Sequence, residues 1–291
     1  MNFIGANKLC KISVLIVLGC TAAACSTGSA MKSLLGGGQS SDAMAPDLSK
    51  SDDQNVADLY NTGLSSLNGG NYSTAAKKFA EVERLHPYSK WATKALLMQG
   101  FANYQAKKYG DAIDACQRFI QLHPGHVDTP YAYYLVALAQ YEQISDVTRD
   151  QSQTQHALDA MDEVSQRFPD SKYAGDAKKK ALLARDQLAG KEMEVGRYYM
   201  KHRDYLAGIN RFKTVITTYQ TSSQTPEALY RIAEGYMALG VTSEAQTAAA
   251  VLGHNFPTSQ WYKDAYRLVS SNGQAPVENQ TSWISKLFHS L

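Results

Sequence analysis

Tyr109–Pro124, YGDAIDACQRFIQLHP, sets the pattern from which the rest of the chain is read. Counting from Tyr109, Ala112, Cys116, Phe119 and His123 stand 3, 7, 10 and 14 residues later. Those intervals mark one face of an α-helix. A small residue one turn in lets a neighbouring helix approach, and larger apolar groups fill the next turns. Pro124 ends the helix, because proline lacks an N–H and its ring clashes with the preceding turn.

The pattern recurs from anchors at Tyr72, Thr154, Tyr205 and Thr242. The third column then reads Ala75, Ala112, Ala157, Gly208 and Ala245. The seventh reads Phe79, Cys116, Met161, Phe212 and Ala249, and the tenth Val82, Phe119, Val164, Val215 and Leu252. His86, His123, Phe168, Tyr219 and Phe256 follow, with proline next in every unit but the fourth, which has Gln220. Nine residues before the anchor stand Gly63, Gly100, Gly196 and Ala233, where a preceding helix would cross. Anchor spacings of 37, 45, 51 and 37 resemble the tetratricopeptide (TPR) period of about 34. The expected fold is all-α: a right-handed TPR solenoid of five helix-turn-helix repeats over residues 53–269. The spacing of 45 puts extra residues in Gln143–Gln153. The spacing of 51 implies a long fourth A helix from about Lys172 to His202, loosened at Gly190.

Outside the repeats, residues 1–24 read as a signal peptide. Lys8 and Lys11 precede an apolar run and then small residues, a segment too short to remain as a membrane span. Cys25 after Ala22-Ala23-Ala24 resembles a lipoprotein cleavage site, so Cys25 is the expected lipidated residue. Cys20 is the runner-up, and an ordinary secreted protein cut after Ala24 is the plainer alternative. The residue after either Cys is Ser or Thr, not Asp, which by resemblance to lipoprotein sorting implies the outer membrane. Residues 25–52 then form the lipidated end and a Ser/Gly/Ala-rich flexible tether reaching about 25–30 Å. Residues 270–291 read as a weakly structured tail with a short amphipathic segment, Trp283 to Leu291. Three placements stay open for it: on a partner, on a membrane surface, or back on the last repeat.

Composition removes several classes of function. The chain has 29 Lys+Arg against 27 Asp+Glu. Loss of Lys8 and Lys11 with the signal leaves the two signs equal, without a basic block, so no nucleic-acid partner is expected. Cys116 would be the one thiol left, and its place in a core column makes it a small buried hydrophobe, not a nucleophile. His123 and His126 have a metal-like spacing, but His123 belongs to the repeat and no Cys or carboxylate joins the pair. No phosphate loop or nucleophile elbow is present. No cofactor is expected, and the chain reads as non-enzymatic. Stacked helical pairs instead suit extended peptides or partner domains. Tyr133, in the Tyr131–Tyr134 cluster, is a candidate client contact. Asp146 and Arg149 in the insertion are candidate partner contacts.

Several longer stretches resemble one family: CQRFIQLHPGH (Cys116–His126), YAYYLVALAQYEQISDVTRDQ (Tyr131–Gln151), RFPDSKYAGDAK (Arg167–Lys178), LAGKEMEVGRYYMKHRDYLAGINRF (Leu188–Phe212) and YQTSSQTPEAL (Tyr219–Leu229). They resemble the BamD (ComL/YfiO) family, TPR lipoproteins of the outer-membrane β-barrel assembly machinery, in its alphaproteobacterial form. The resemblance implies a scaffold anchored by lipid at the periplasmic face of the outer membrane. Its partners would be BamA, other Bam subunits and unfolded outer-membrane β-barrel proteins. Asn210 and Arg211 match the family's contact to the POTRA region of BamA. Arg84, His86, Pro87 and Tyr88 correspond to its peptide-receiving region. The tail beyond Val269 departs from the family pattern. Another periplasmic TPR lipoprotein adaptor, in envelope maintenance or cell division, is the alternative.

Overall fold

The structure is a computed structural model that describes residues 52–289. Cys25, the signal peptide, the tether and Leu291 lie outside the described residues. Every regular element among the described residues is a helix. The five pairs are α1 (Asp52–Asn68) with α2 (Tyr72–Leu85), α3 (Lys90–Gln105) with α4 (Tyr109–Leu122), and α5 (Thr129–Tyr141) with α6 (Ser152–Arg167). Then come α7 (Ala174–Lys201) with α8 (Tyr205–Thr218) and α9 (Thr225–Ala238) with α10 (Thr242–Asn255). Each helix packs on the next in chain order, as in a TPR solenoid, so each unit buries the face of its neighbour and stability accumulates along the stack.

The columns form the core. All residues of the seventh and tenth columns, from Phe79 and Val82 to Ala249 and Leu252, are fully buried. The helix crossing also follows the sequence. A Cβ added at Gly63 would stand 2.7 Å from Phe79, at Gly100 2.4 Å from the Cys116 Sγ, and at Gly196 2.4 Å from Phe212. Glycine on the A helix thus makes room for the seventh-column residue of its own B helix. In the fifth unit Ala233 and Ala249, both fully buried, share the space more evenly.

The turns repeat as faithfully. Each B helix ends on the residue before the proline position, with φ near −135° in four units and −120° at Tyr219. A proline disfavours α geometry in the residue before it. The carbonyls of His86, His123, Phe168, Tyr219 and Phe256 then each accept an N–H from three residues on. At the A–B turns, Gly70, Lys107, Arg203 and Gly240 hold positive φ, each two residues before an anchor. This left-handed residue lets the helix close with backbone bonds to its last carbonyls.

The two irregular spacings prove to be one feature. α7 runs unbroken from Ala174 to Lys201, so Gly190 does not loosen it. Gly190 instead faces the insertion, where Val147 Cγ2 lies 3.5 Å from an ideal Cβ position. Gln187 Nε2 donates to the Ser145 carbonyl at 2.9 Å and Lys191 Nζ to that of Thr148 at 2.9 Å. The extra turns of α7 are the wall against which the extra loop residues are fixed.

Beyond the fifth pair, α11 (Gln260–Ser271) packs on α9 and α10. A Cβ at Gly253 of α10 would stand 2.4 Å from Tyr262, so glycine again admits a ring. The tail takes the third of its open placements. α12 (Trp283–His289) docks on α10 with Ile284 fully buried. Ser282 Oγ donates to Glu244 at 2.6 Å, Trp283 Nε1 to the Tyr236 hydroxyl at 3.1 Å, and the Asn279 N–H to Thr247 Oγ1 at 3.2 Å. Lys213 of α8 lies 4.7 Å over the Trp283 ring. Truncating a buried Ile costs about 2–5 kcal/mol, more than a seven-residue helix gains alone. Ile284→Ala is therefore expected to release α12 and speed amide hydrogen exchange in α10. Unchanged exchange there would show that the tail does not cap the stack.

Candidate functional site

The expected contact residues fall on three separate parts of the stack. At the α2–α3 turn, Arg84 is exposed, His86 closes α2 and Tyr88 is wholly exposed. Pro87 before Tyr88 stiffens this turn, because its φ is fixed by the ring. Leu85 is also exposed, so the turn presents apolar surface beside a guanidinium.

The second part is the third unit. Tyr131 and Tyr134 stack on Tyr173, with centroids 5.3 and 5.0 Å away. The Tyr134 hydroxyl donates to Asp176 at 2.5 Å. Burial pushes the Tyr131 and Tyr134 hydroxyls to higher pKa, and Asp176 adds to the effect at Tyr134. Both rings therefore stay neutral over the physiological range and serve as packing. Tyr133 points elsewhere: Arg167 Nη1 donates to its hydroxyl at 2.5 Å and the guanidinium lies 5.0 Å over its ring. Phe168 packs 5.2 Å away. Tyr133 is thus half-buried and already engaged.

In the adjoining loop, Asp146 accepts from the Thr148 N–H at 2.9 Å and hydroxyl at 2.7 Å. These bonds hold its carboxyl below the usual range, and the side chain shapes its own turn. Arg149 is exposed beside it.

The third part is α8. Asn210 and Arg211 are exposed on the helix that carries the next residue, Phe212, into the core. Arg211 Nη1 pairs with Glu192 Oε2 of α7 at 3.2 Å. The sequence pointed Arg211 away from the core, but gave no sign of Glu192 as its partner. A long-range pair of this kind has no spacing signature.

The residues weighed for chemistry have structural duties. His123 and His126 both pack on Phe119, each with centroids 5.4 Å away. His126 Nδ1 accepts the Asp128 N–H at 3.1 Å, within the B–A turn. Burial pushes the Cys116 thiol up to about 12, so it carries almost no thiolate at neutral pH.

A family model described as an outer membrane lipoprotein, YfiO, matches residues 52–252. The chain belongs to this family. The match begins with α1 and ends inside α10, so it spans the helical pairs described above. Two relatives named outer membrane protein assembly factor BamD are alphaproteobacterial. That of Caulobacter vibrioides is 50% identical over 219 residues, covering 75% of this chain and 72% of its own. That of Rickettsia prowazekii is 42% identical over 265 residues, covering 91% of this chain and 98% of its own. A BamD of Neisseria gonorrhoeae is 32% identical over 268 residues, covering 88% of this chain and 95% of its own. Within this YfiO-family chain, α11 and α12 lie beyond the residues that the family model matches.

Proposed function

We propose that this chain is an outer-membrane protein assembly factor that works as a non-enzymatic scaffold of the β-barrel assembly machinery. Membership of the YfiO family across the helical pairs carries the reading. In this reading, lipid on Cys25 holds the chain at the periplasmic face of the outer membrane. Asn210 and Arg211 on α8 bind the POTRA region of a BamA-type subunit, and Asp146 and Arg149 add a further partner contact. Unfolded barrel proteins are received at the α2–α3 turn by Arg84, His86 and Tyr88, with Tyr133 two units along.

The physical division of labour is consistent with this. Buried columns fix the distance between the turn at Tyr88 and the α8 surface, because every intervening pair is core-packed. A client held at one position is thereby presented to a partner held at another, without any covalent step.

A photoreactive side chain tests the client contact directly. Placed at Tyr88, which is wholly exposed, it is expected to form adducts with newly exported barrel proteins in intact envelopes. Placed at Val277, exposed in the tail, it is expected to form few. Equal capture from both positions would contradict a client site at the α2–α3 turn.

A further inference from the structure

Exposed aliphatic side chains of the last two pairs gather at one edge. Leu206 stands in the first turn of α8, Leu239 follows the last residue of α9 and Val241 precedes α10; they are 62%, 44% and 42% exposed. Val277, 60% exposed, joins them. Gln246 Nε2 donates to the Ala275 carbonyl at 2.9 Å and the Asn279 N–H to Thr247 Oγ1 at 3.2 Å, which pins Val277 beside the first turns of α10. Lys201 and Tyr205 at the α7–α8 turn, Ala238 of α9 and Leu268 of α11 line one hollow of about 580 Å³, so these connections adjoin. At the opposite turns, residues 219–224 and 256–259 expose no large hydrophobic side chain.

Cations share the edge. Lys201 and Arg203 are exposed, and neither pairs with an acid among the described residues. The neighbouring acids are engaged: Asp204 accepts the Ala207 N–H at 3.2 Å and Glu244 the Ser282 hydroxyl at 2.6 Å. Arg203 holds φ 65°, whereas Gly240 fills the equivalent place in the next unit. Left-handed backbone favours glycine, so an arginine is kept at this tip against its conformational preference.

Aliphatic groups on separate tips, with unpaired cations beside them, match an anionic bilayer surface. Such a surface offers phosphates to Lys and Arg and admits apolar side chains to the depth of the headgroups. Protein interfaces instead have a close-packed core, which four aliphatics on three connections do not supply.

We propose that the edge formed by the α7–α8, α9–α10 and α11–α12 connections rests on an anionic phospholipid surface. Leu206, Leu239, Val241 and Val277 enter the headgroup layer, and Lys201 and Arg203 hold phosphates. The inference rests on the reading that lipid on Cys25 holds the chain at the outer membrane. It adds a second contact, made by the folded stack itself, that fixes which edge is turned toward the bilayer.

The test uses the full lipidated chain in vesicles of phosphatidylethanolamine and phosphatidylglycerol. An environment-sensitive dye is attached at Leu206→Cys and, in a second sample, at Val127→Cys, which is 84% exposed in the α4–α5 turn. Cys116 is buried and stays unlabelled. Lipids brominated on their acyl chains are expected to quench the dye at position 206 at least threefold more than at position 127. Lys201→Glu with Arg203→Glu should bring the two positions level with helical content unchanged. Vesicles of phosphatidylcholine alone should do the same, an arm that needs no charge variant. Inorganic phosphate at millimolar concentration should leave the quenching in place; its loss would mark a site for free anions and overturn the proposal. Equal quenching at the two positions of the unaltered chain, or no effect of charge reversal, would also overturn it. A crosslink from position 206 to a protein in intact envelopes, with no quenching in vesicles, would assign the edge to a protein instead. Flotation of the vesicles separates the two readings. A chain that floats without differential quenching overturns this proposal alone, and a chain that does not float loses the anchor as well.

Discussion

Phe212→Ala is expected to destabilise the chain by about 3–5 kcal/mol, the usual cost of removing a fully buried aromatic ring. Phe212 is wholly enclosed, and its ring lies where a Cβ on Gly196 would stand 2.4 Å away. Gly196→Ala alone overpacks that crossing and should cost about 1–3 kcal/mol. The two changes together should cost clearly less than their sum, since the added methyl enters the space the ring vacates. The fifth unit already shows this arrangement, with Ala233 and Ala249 both buried at the equivalent places. Thermal unfolding of the four proteins, followed by circular dichroism, measures the coupling. Strict additivity would mean that the glycine does not serve the crossing.

Arg211→Glu is expected to weaken binding to the POTRA region of BamA by about thirtyfold or more, the range of an interface hot spot. The free chain holds Arg211 against Glu192 at 3.2 Å, with side chains 45% and 22% exposed. An exposed pair of this kind contributes only about 0–1 kcal/mol. It is readily exchanged for a carboxylate on a partner, which a guanidinium can hold through two hydrogen bonds. The substitution removes that donor and sets a second carboxylate beside Glu192. Helical content should not change, because the side chain is exposed and Phe212 alone of the two enters the core. Glu192→Gln frees Arg211 instead, and is expected to leave binding intact or tighter. Equal binding by Arg211→Glu and the unaltered chain would remove Arg211 from the interface.

The B helices were legible because each repeats four apolar positions and a stop signal. A face with that period can only be buried, and it is. The turns were legible for the same reason, and even Gln220 in the proline position leaves the Tyr219 turn closed, with the Ser222 N–H on the Tyr219 carbonyl at 2.9 Å. What stayed hidden depends on contacts between distant parts of the chain. The insertion and the long α7 looked like two separate irregularities. Their link is Gln187, Gly190 and Lys191 against a loop some forty residues earlier, and no local period encodes it. The tail was similarly open, since its place is set by Tyr236, Glu244 and Thr247. Tyr133 stood out as an aromatic, but its bond to Arg167 appears only when α5 and α6 are brought together.

Calorimetric titration of the purified chain with the periplasmic POTRA region of BamA from the same organism is the most direct test of the scaffold. The account predicts saturable one-to-one binding that Arg211→Glu abolishes or reduces by at least thirtyfold. Absence of heat and of complex with a fully helical, unaltered chain would contradict it.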